Sequence, residues 1–513
     1  MADRPRILHP FLVAAFPVLS LYAANVQEGV TLRHVIPVLV VVLAVTAAAL
    51  IAARWAFRDP ATAGLAVSGL VLLFFSYGHV RNILLKWELA GEALSRHRYL
   101  LAAWALLSVA VVVVAPRVRA HLPRITSALN LVSAALVLMN VASVAVYEGR
   151  RSLAGREAPL TETLVLHPPP SGALPDIYYV VLDRYGGQEA LREVFGFDNR
   201  DFLGFLDERG FVVASESRAN YPRTNFSLAS SLNLEHLGFL TSSVGPASDD
   251  TRPLISLIGD HRVGRSLKAI GYRYVHIGSW WAPTASSPLA DVTVPYGGLS
   301  EFPSVLLQTT PVWPVANFVV GGLGRRRDWA GVKQQFEALI QSRDLPGPKL
   351  VFAHILSPHE PFVFDRNGDF VSEEEEARRP RDQNYIDQLL FVNRKVQEVV
   401  EALLAGPDDP VIVIQADEGP YEGPGSWRRA SDRLLRRKFS ILNAYYLPGE
   451  GGPDPHPSIT PVNTFRLVFD RYFGSDLPLL PDRSYVYTDL RHLYEFVDVT
   501  DRVAGGSVSM AGG

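Results

Sequence analysis

Charged residues are sparse along the first 150 positions, and the stretches between them are apolar. Five stretches carry no Asp, Glu, Lys or Arg: those between Arg6 and Glu28, Arg33 and Arg54, Asp59 and Arg81, Arg98 and Arg117, and Arg124 and Glu148. A helix needs about 20 residues to cross a hydrocarbon core of about 30 Å, and each stretch is close to that length. The pattern predicts a bundle of about five transmembrane helices over residues 1–148. The first stretch has a second reading, a cleaved signal peptide led by Arg4 and Arg6. Ala23-Ala24-Asn25 is a weak cleavage site, however, and four further spans follow. With the N-terminus in the cytoplasm, Arg54/Arg58 and Arg117/Arg119/Arg124 also fall on the cytoplasmic side. The loop from Arg81 to Arg98 is also basic and runs against that rule, with Ile83–Trp87 reading as an interfacial piece. An odd number of spans places everything after Tyr147 outside the cytoplasm.

Beyond residue 148 the periodicity changes. Residues 149–175 are polar, close on Pro168-Pro169-Pro170 and read as a linker. Short runs rich in β-branched and aromatic residues then alternate with helical spacing. Asp176–Leu182, Tyr272–Ile277, Lys349–Ile355 and Pro410–Ile414 are nearly continuous in hydrophobicity, as strands buried on both faces of a parallel sheet are. Helical spacing covers Glu189–Phe195, Arg200–Arg209, His261–Ile270, Trp329–Ser342, Gln383–Leu404 and Val462–Phe473, and Asn225–Leu240 also reads as helix. Ser440–Pro448 reads as a further core strand. The alternation predicts an α/β domain over 176–500, with a mostly parallel sheet flanked by helices, and a flexible tail over 501–513.

Charge sharpens the division. Residues 1–150 hold 13 basic and 6 acidic groups, and residues 151–513 hold 36 and 46. A basic, charge-poor membrane part followed by an acidic soluble part is not the profile of a nucleic-acid binder. With no cysteine in 513 residues, disulfides, thiolate metal sites and cysteine nucleophiles are all excluded.

An open α/β sheet collects ligands beyond the carboxyl ends of its strands. Asp183 ends one predicted strand, Asp417-Glu418 follow another, and His354 closes a third. Two or three carboxylates and an imidazole on one rim would suit a divalent cation. Taken singly, each has a plainer reading: Asp183 as a helix cap, Asp417-Glu418 as turn residues, His354 as a hydrogen-bonded core group. His359, in the Pro-flanked loop Ser357–Pro361, is less readily explained by packing. Trp280-Trp281 after the second strand suits either a headgroup pocket or the core.

These segments resemble a known family. Pro175–Asp183 is similar to the opening strand of the alkaline phosphatase superfamily in its sulfatase-like branch, and Tyr221–Ser230 resembles that branch's nucleophile segment. Ser357–Phe362 resembles its HxPF-type loop, and Ile414–Gly419 its second metal strand, which usually ends Asp-His-Gly. Several spans ahead of an exported catalytic domain is also the layout of lipoteichoic acid synthases and phosphoethanolamine transferases. The resemblance implies Thr224 as nucleophile and metal ligand, with Asp183, Asp417 and Glu418 completing a site for one divalent ion. It gives His359 a substrate contact, with His354, Arg223 and Trp281 as further candidates there. Ser227, one helical turn on, is the reserve nucleophile. A threonine hydroxyl is a poor nucleophile at neutral pH unless a cation lowers its pKa, and a helix N-terminus favours the developing charge.

Two departures from the family pattern matter. Formylglycine sulfatases need C/S-x-P-x-R, whereas Ser286-Ser287-Pro288 is followed by Leu289-Ala290. Glu418 stands where the family has His, and a site made only of oxygen ligands favours Mn²⁺ or Mg²⁺, allows Ca²⁺, and suits Zn²⁺ less. The expectation is a membrane-anchored, metal-dependent transferase or hydrolase acting on phospho-esters of a lipid headgroup or envelope glycan. Its partners would be the lipid bilayer and that substrate, with no nucleic acid. The alternatives are a degenerate envelope scaffold with this fold, or a sulfuric ester hydrolase.

Overall fold

The computed structural model describes residues 5–86, 95–153, 160, 162–168, 174–421, 423–449 and 452–504. Residues 87–94 of the Arg81–Arg98 loop, much of the predicted linker and the predicted tail beyond residue 504 lie outside these. The chain divides into two compact units, one of residues 1–156 with 299–323, the other of 157–298 with 324–513.

The first unit holds α1 (His9–Asn25), α2 (Leu32–Phe57), α3 (Pro60–Lys86), α4 (His97–Val114) and α5 (Leu122–Leu153). Among the described residues, four helical stretches are long and apolar enough to cross a membrane. The last, His97–Arg150, is 54 residues long and contains both α4 and α5. The turn Ala115–His121 joins them, with Pro116 near its start and non-helical dihedrals at Val118. Val41, Val45, Leu106 and Leu131 project outward from this unit, as lipid-facing residues do.

A departure from the sequence reading is that the first unit reclaims a piece of the second half. Residues 299–323 carry the helices Glu301–Gln308 and Val312–Val320 and belong with α1–α5. Period-based reading passed over this segment, because Pro303, Pro311 and Pro314 break it into two short pieces.

The second unit is built on a seven-stranded sheet. Its strands are β1 (Ile177–Leu182), β2 (Val212–Val213), β3 (Arg273–Ile277), β4 (Val292–Val294), β5 (Lys349–Ile355), β6 (Val411–Ala416) and β7 (Asn443–Tyr446), in the order β2-β7-β6-β1-β5-β3-β4. The five strands β6, β1, β5, β3 and β4 run parallel, and β7 and β2 add an antiparallel edge. The sheet is therefore mostly parallel, with the Ser440–Pro448 strand supplying its antiparallel member. β1 and β5 are buried along their whole length, which accounts for their unbroken hydrophobic runs. A separate ribbon of β8 (Tyr485–Tyr487) and β9 (Phe496–Asp498) lies apart from the sheet in hydrogen bonding.

The predicted helix Asn225–Leu240 is two helices, Thr224–Ser231 and Phe239–Val244. Leu234 between them has φ of 58°, a left-handed conformation that no helix continues through.

Candidate metal and phospho-ester site

β1 lies between β5 and β6, with Leu182 in register with both Ile355 and Ala416. Asp183 and Asp417 are the next residues of adjacent parallel strands, so the pairing sets them side by side. His354 is the penultimate residue of β5. Asp183, His354 and Asp417 each offer a ligand atom within 4.8 Å of the others, and all three are buried.

Thr224 joins them from a different element. It is the first residue of its short helix, preceded by Arg223 at the N-cap in extended conformation. The helix is buried beneath the ribbon: Phe226 stacks on Tyr487 at 5.5 Å, and Tyr221 packs on Tyr485 and Phe496. Thr224 stays half-buried at the exposed end, near enough to Asp417 for its hydroxyl to favour the ionised carboxylate. Ser227 faces away, its Oγ donating to the Tyr221 carbonyl at 3.0 Å, which removes it as a nucleophile.

Glu418 takes no place in the three-residue group. Its Oε1 accepts from Arg184 Nε at 2.9 Å and pairs with Lys438 Nζ at 2.9 Å, with all three side chains buried or nearly so. Burial opposes ionisation of Glu418, but Lys438 and Arg184 overcome it and hold its pKa below the usual value. Glu418 Oε1 therefore serves as the counter-ion of two buried cations, while its Oε2 is buried without a hydrogen-bond partner. Arg184 adopts φ of 60°, donates its backbone N–H to Asp417 Oδ1 at 3.2 Å, and reaches Glu360 Oε1 at 3.1 Å. Tyr385 fixes this turn, its hydroxyl donating to the Arg184 carbonyl and accepting from Gly186 N–H.

Asp183 and Asp417 behave oppositely to Glu418. Burial raises the pKa of each, followed by the neighbouring carboxylates, and Asp417 reaches about 6. Three buried carboxylates against two buried cations leave an excess of negative charge. Asp183 Oδ1, Asp417 Oδ2 and His354 Nε2 are also buried without a hydrogen-bond partner. Orphaned acceptors of this kind are costly unless a cation satisfies them, so the residues fit a divalent ion.

The imidazole is prepared for the same task. His354 Nδ1 lies 3.0 Å from Thr284 Oγ1, which lies 2.8 Å from Ser279 Oγ, and Ser279 donates to the Trp281 carbonyl. A carbonyl only accepts, so the chain of donors runs outward from His354 and places the ring proton on Nδ1. Nε2 then carries its lone pair toward Asp183, 3.9 Å away. Burial, then His359 and His276, lowers the ring's pKa to about 3, so it stays neutral. A metal-binding histidine is held in this way, its second nitrogen donating to a fixed partner.

His359 lies near the same charges. It is neutral, its pKa lowered to about 4 by burial and then by Arg184, and its Nδ1 bonds the Glu360 carbonyl. Trp281 meets His354 edge-on at 5.8 Å. Arg223 sits half-buried beside Thr224. Sequence reasoning missed Lys438, Thr284 and Ser279. Lys438 sits in the Arg436-Arg437-Lys438 run, which looks like a solvated face.

No protein-family profile and no curated protein matches the sequence. A comparison with solved structures returns matches of low identity. The C-terminal periplasmic domain of EcEptC from Escherichia coli, in complex with Zn, is 12% identical. It aligns over 67% of this chain and 99% of its own, at a TM-score of 0.43. Lipooligosaccharide phosphoethanolamine transferase A from Neisseria meningitidis, an integral membrane protein, is 12% identical over 85% of this chain and 88% of its own, at 0.35. A 2-O GAG sulfatase is 13% identical over 56% and 68%, at 0.33. Likeness of this strength fixes neither substrate nor reaction, which the side chains of the site have to supply.

Proposed function

We propose that the protein is a membrane-anchored, metal-dependent enzyme that moves a phospho-ester group through Thr224, with its catalytic unit outside the cytoplasm. The observation that carries this reading is the convergence of Thr224 with the orphaned oxygens of Asp183 and Asp417 and the orphaned nitrogen of His354. Asp183, His354, Asp417 and the Thr224 hydroxyl would hold one divalent ion, and Glu418 would not. An imidazole among carboxylates moves the preference from Mg²⁺ and Ca²⁺ toward Mn²⁺ or Zn²⁺. When bound, such an ion lowers the pKa of a coordinated hydroxyl and neutralises charge on a phosphoryl oxygen.

The chain's own residues do the rest. Asp417 holds the Thr224 proton and takes it as the Oγ1–P bond forms and the bond from phosphorus to the leaving alcohol breaks. The alcohol leaves with a proton from solvent. A hydroxyl of an acceptor, or water, then attacks phosphorus and gives its proton to the neutral His359 or to solvent, while the Oγ1–P bond breaks and Asp417 returns its proton to Thr224. Arg184 and Lys438 are already committed to Glu418 and Glu360, so the site is only modestly cationic toward an anion. That balance suits a phosphodiester monoanion, as in a lipid headgroup, better than a monoester dianion.

The test is the full chain in native lipid extract, followed by mass analysis of the peptide containing Thr224. The expected result is a phospho-adduct on Thr224 in the wild type and none in Thr224→Ala, which keeps its metal and its melting temperature. Turnover by Thr224→Ala at the wild-type rate would overturn the reading. A second reading, a non-catalytic scaffold, has Glu418 in its favour, and a purified chain without stoichiometric metal would support it.

A further inference from the structure

Between Glu301 and Arg325 the chain runs 23 residues without a charge, although this segment lies within the acidic half of the sequence. Its helices Glu301–Gln308 and Val312–Val320 have 8 and 9 residues, so each is about 12–14 Å long at about 1.5 Å per residue and cannot cross a bilayer. Glycine pairs with positive φ flank them, Gly297-Gly298 before and Gly321-Gly322 after.

One face of this segment is packed. Phe302 and Leu306 are buried with Val18, Tyr22, Val26 and Val35 of the membrane unit. Gly78 of α3 donates its backbone N–H to the Thr309 carbonyl at 2.8 Å. A Cβ at position 78 would lie 2.7 Å from Thr309 Cα, so only glycine allows this approach. The helix break is also self-satisfied: Thr309 and Thr310 hydroxyls donate to the Leu306 and Leu307 carbonyls, both at 2.7 Å. Hydrocarbon tolerates irregular backbone only where its polar groups are paired in this manner.

The other face is apolar and open. Phe318 is 87% exposed and Val319 75%, with Val312 and Val315 beside them on the same helix. This surface continues into the lipid-facing side of the transmembrane helices. Leu307 and Pro303 line an apolar cavity of about 440 Å³ together with Val41 and Val45 of α2 and Val71 of α3. We propose that Leu299–Gly322 is a re-entrant hairpin that enters the bilayer without crossing it and lays its outer face against lipid acyl chains. The proposal is independent of the reaction assigned to Thr224. The catalytic unit's chain then enters the membrane a second time, in the middle of its own sequence.

The chain has no cysteine, so a single introduced thiol reports only on itself. Phe318→Cys and Val319→Cys, each carrying an environment-sensitive fluorophore, are compared with Asp201→Cys, an exposed site on the catalytic unit. The full chain is reconstituted in phosphatidylcholine–phosphatidylglycerol vesicles with or without brominated acyl chains. Labels at 318 and 319 should emit to the blue of the label at 201, lose most of their emission to brominated chains, and resist aqueous iodide. Iodide quenching at both positions equal to that at 201, with no effect of brominated lipid, would overturn the proposal. Both thiols sit on the open face, and a melting temperature matching the unsubstituted chain confirms that each variant is folded.

Discussion

At the scale of single residues, the substitution of Glu for the expected His at 418 changes what surrounds it. A glutamate buried at this depth needs cations, and Lys438 and Arg184 supply them. The three residues form a buried charge group, in which removing one member leaves another uncompensated. Lys438→Met should therefore lower stability by about 3–5 kcal/mol, the usual cost of breaking a buried pair from one side. Lys438→Met with Glu418→Gln should recover most of that loss. Thermal unfolding of the detergent-solubilised chain measures both, and a double variant no more stable than the single one would show that the pair is not the cause. The nearness of Asp183 and Asp417 was legible because each directly follows a strand with a clear signal, whereas Thr224 came only from the resemblance. The cations beside Glu418 were not legible, because sequence order says nothing about which way adjacent side chains point past a strand end. Lys438 reaches Glu418 from the helix Asp432–Phe439, at a separation in sequence that local patterns do not register.

At the scale of elements, the end of β3 governs the imidazole. Gly278 follows β3, and its N–H donates to the Val294 carbonyl at 2.9 Å. A Cβ there would stand 2.4 Å from the Ala285 carbonyl oxygen, so the loop carrying Ser279 and Thr284 would have to move. Gln335 ties the same point to β5, its Nε2 donating to the carbonyls of Gly278 and His354, both at 2.9 Å. Gly278→Ala should cost about 1–3 kcal/mol through overpacking. It should also weaken metal binding by about 10–100-fold, as loss of a histidine's outer partner does. Competition with a chromophoric chelator measures the affinity, and unchanged binding would separate the Ser279–Thr284 chain from the metal. The strands themselves were legible: Lys349–Ile355 is an unbroken run and is a strand over those same residues. The split of Asn225–Leu240 was not, because Asn233 sits in a turn held by its side-chain bonds to the Ala229 and Leu257 carbonyls. Partners that distant in sequence leave no periodic trace.

At the scale of the whole molecule, the contrast between a charge-poor first part and an acidic α/β part was plain from charge alone. The hairpin Leu299–Gly322 was not, because its two helices are each shorter than the window a transmembrane reading needs. The catalytic unit also carries opposed titrations, which should set its response to pH. His261, His276 and His354 are buried, and burial brings their pKa values to about 3, 4 and 3 from an unfolded value of 6.5. The unfolded chain binds these protons more readily, so the stability from three neutral imidazoles is complete above pH 6.5 and is lost as pH falls toward 4. Asp417 has the opposite sign. Burial, then Glu418, raises it from 3.8 to about 6, so its contribution is complete below 3.8 and is lost as pH rises through 6. Asp183 is raised as well and adds in the same direction. The chelator-treated chain should therefore be most stable near pH 6 and melt lower on either side. A bound divalent ion reverses only the alkaline limb, because coordination requires both carboxylates ionised and His354 neutral. With Mn²⁺ or Zn²⁺ added, the melting temperature should keep rising through pH 6–8, and the acid limb should steepen as protons compete with metal. Melting curves from pH 4 to 8, with and without ion, test this directly. Superimposable profiles would mean that Asp183 and Asp417 are not where the ion binds.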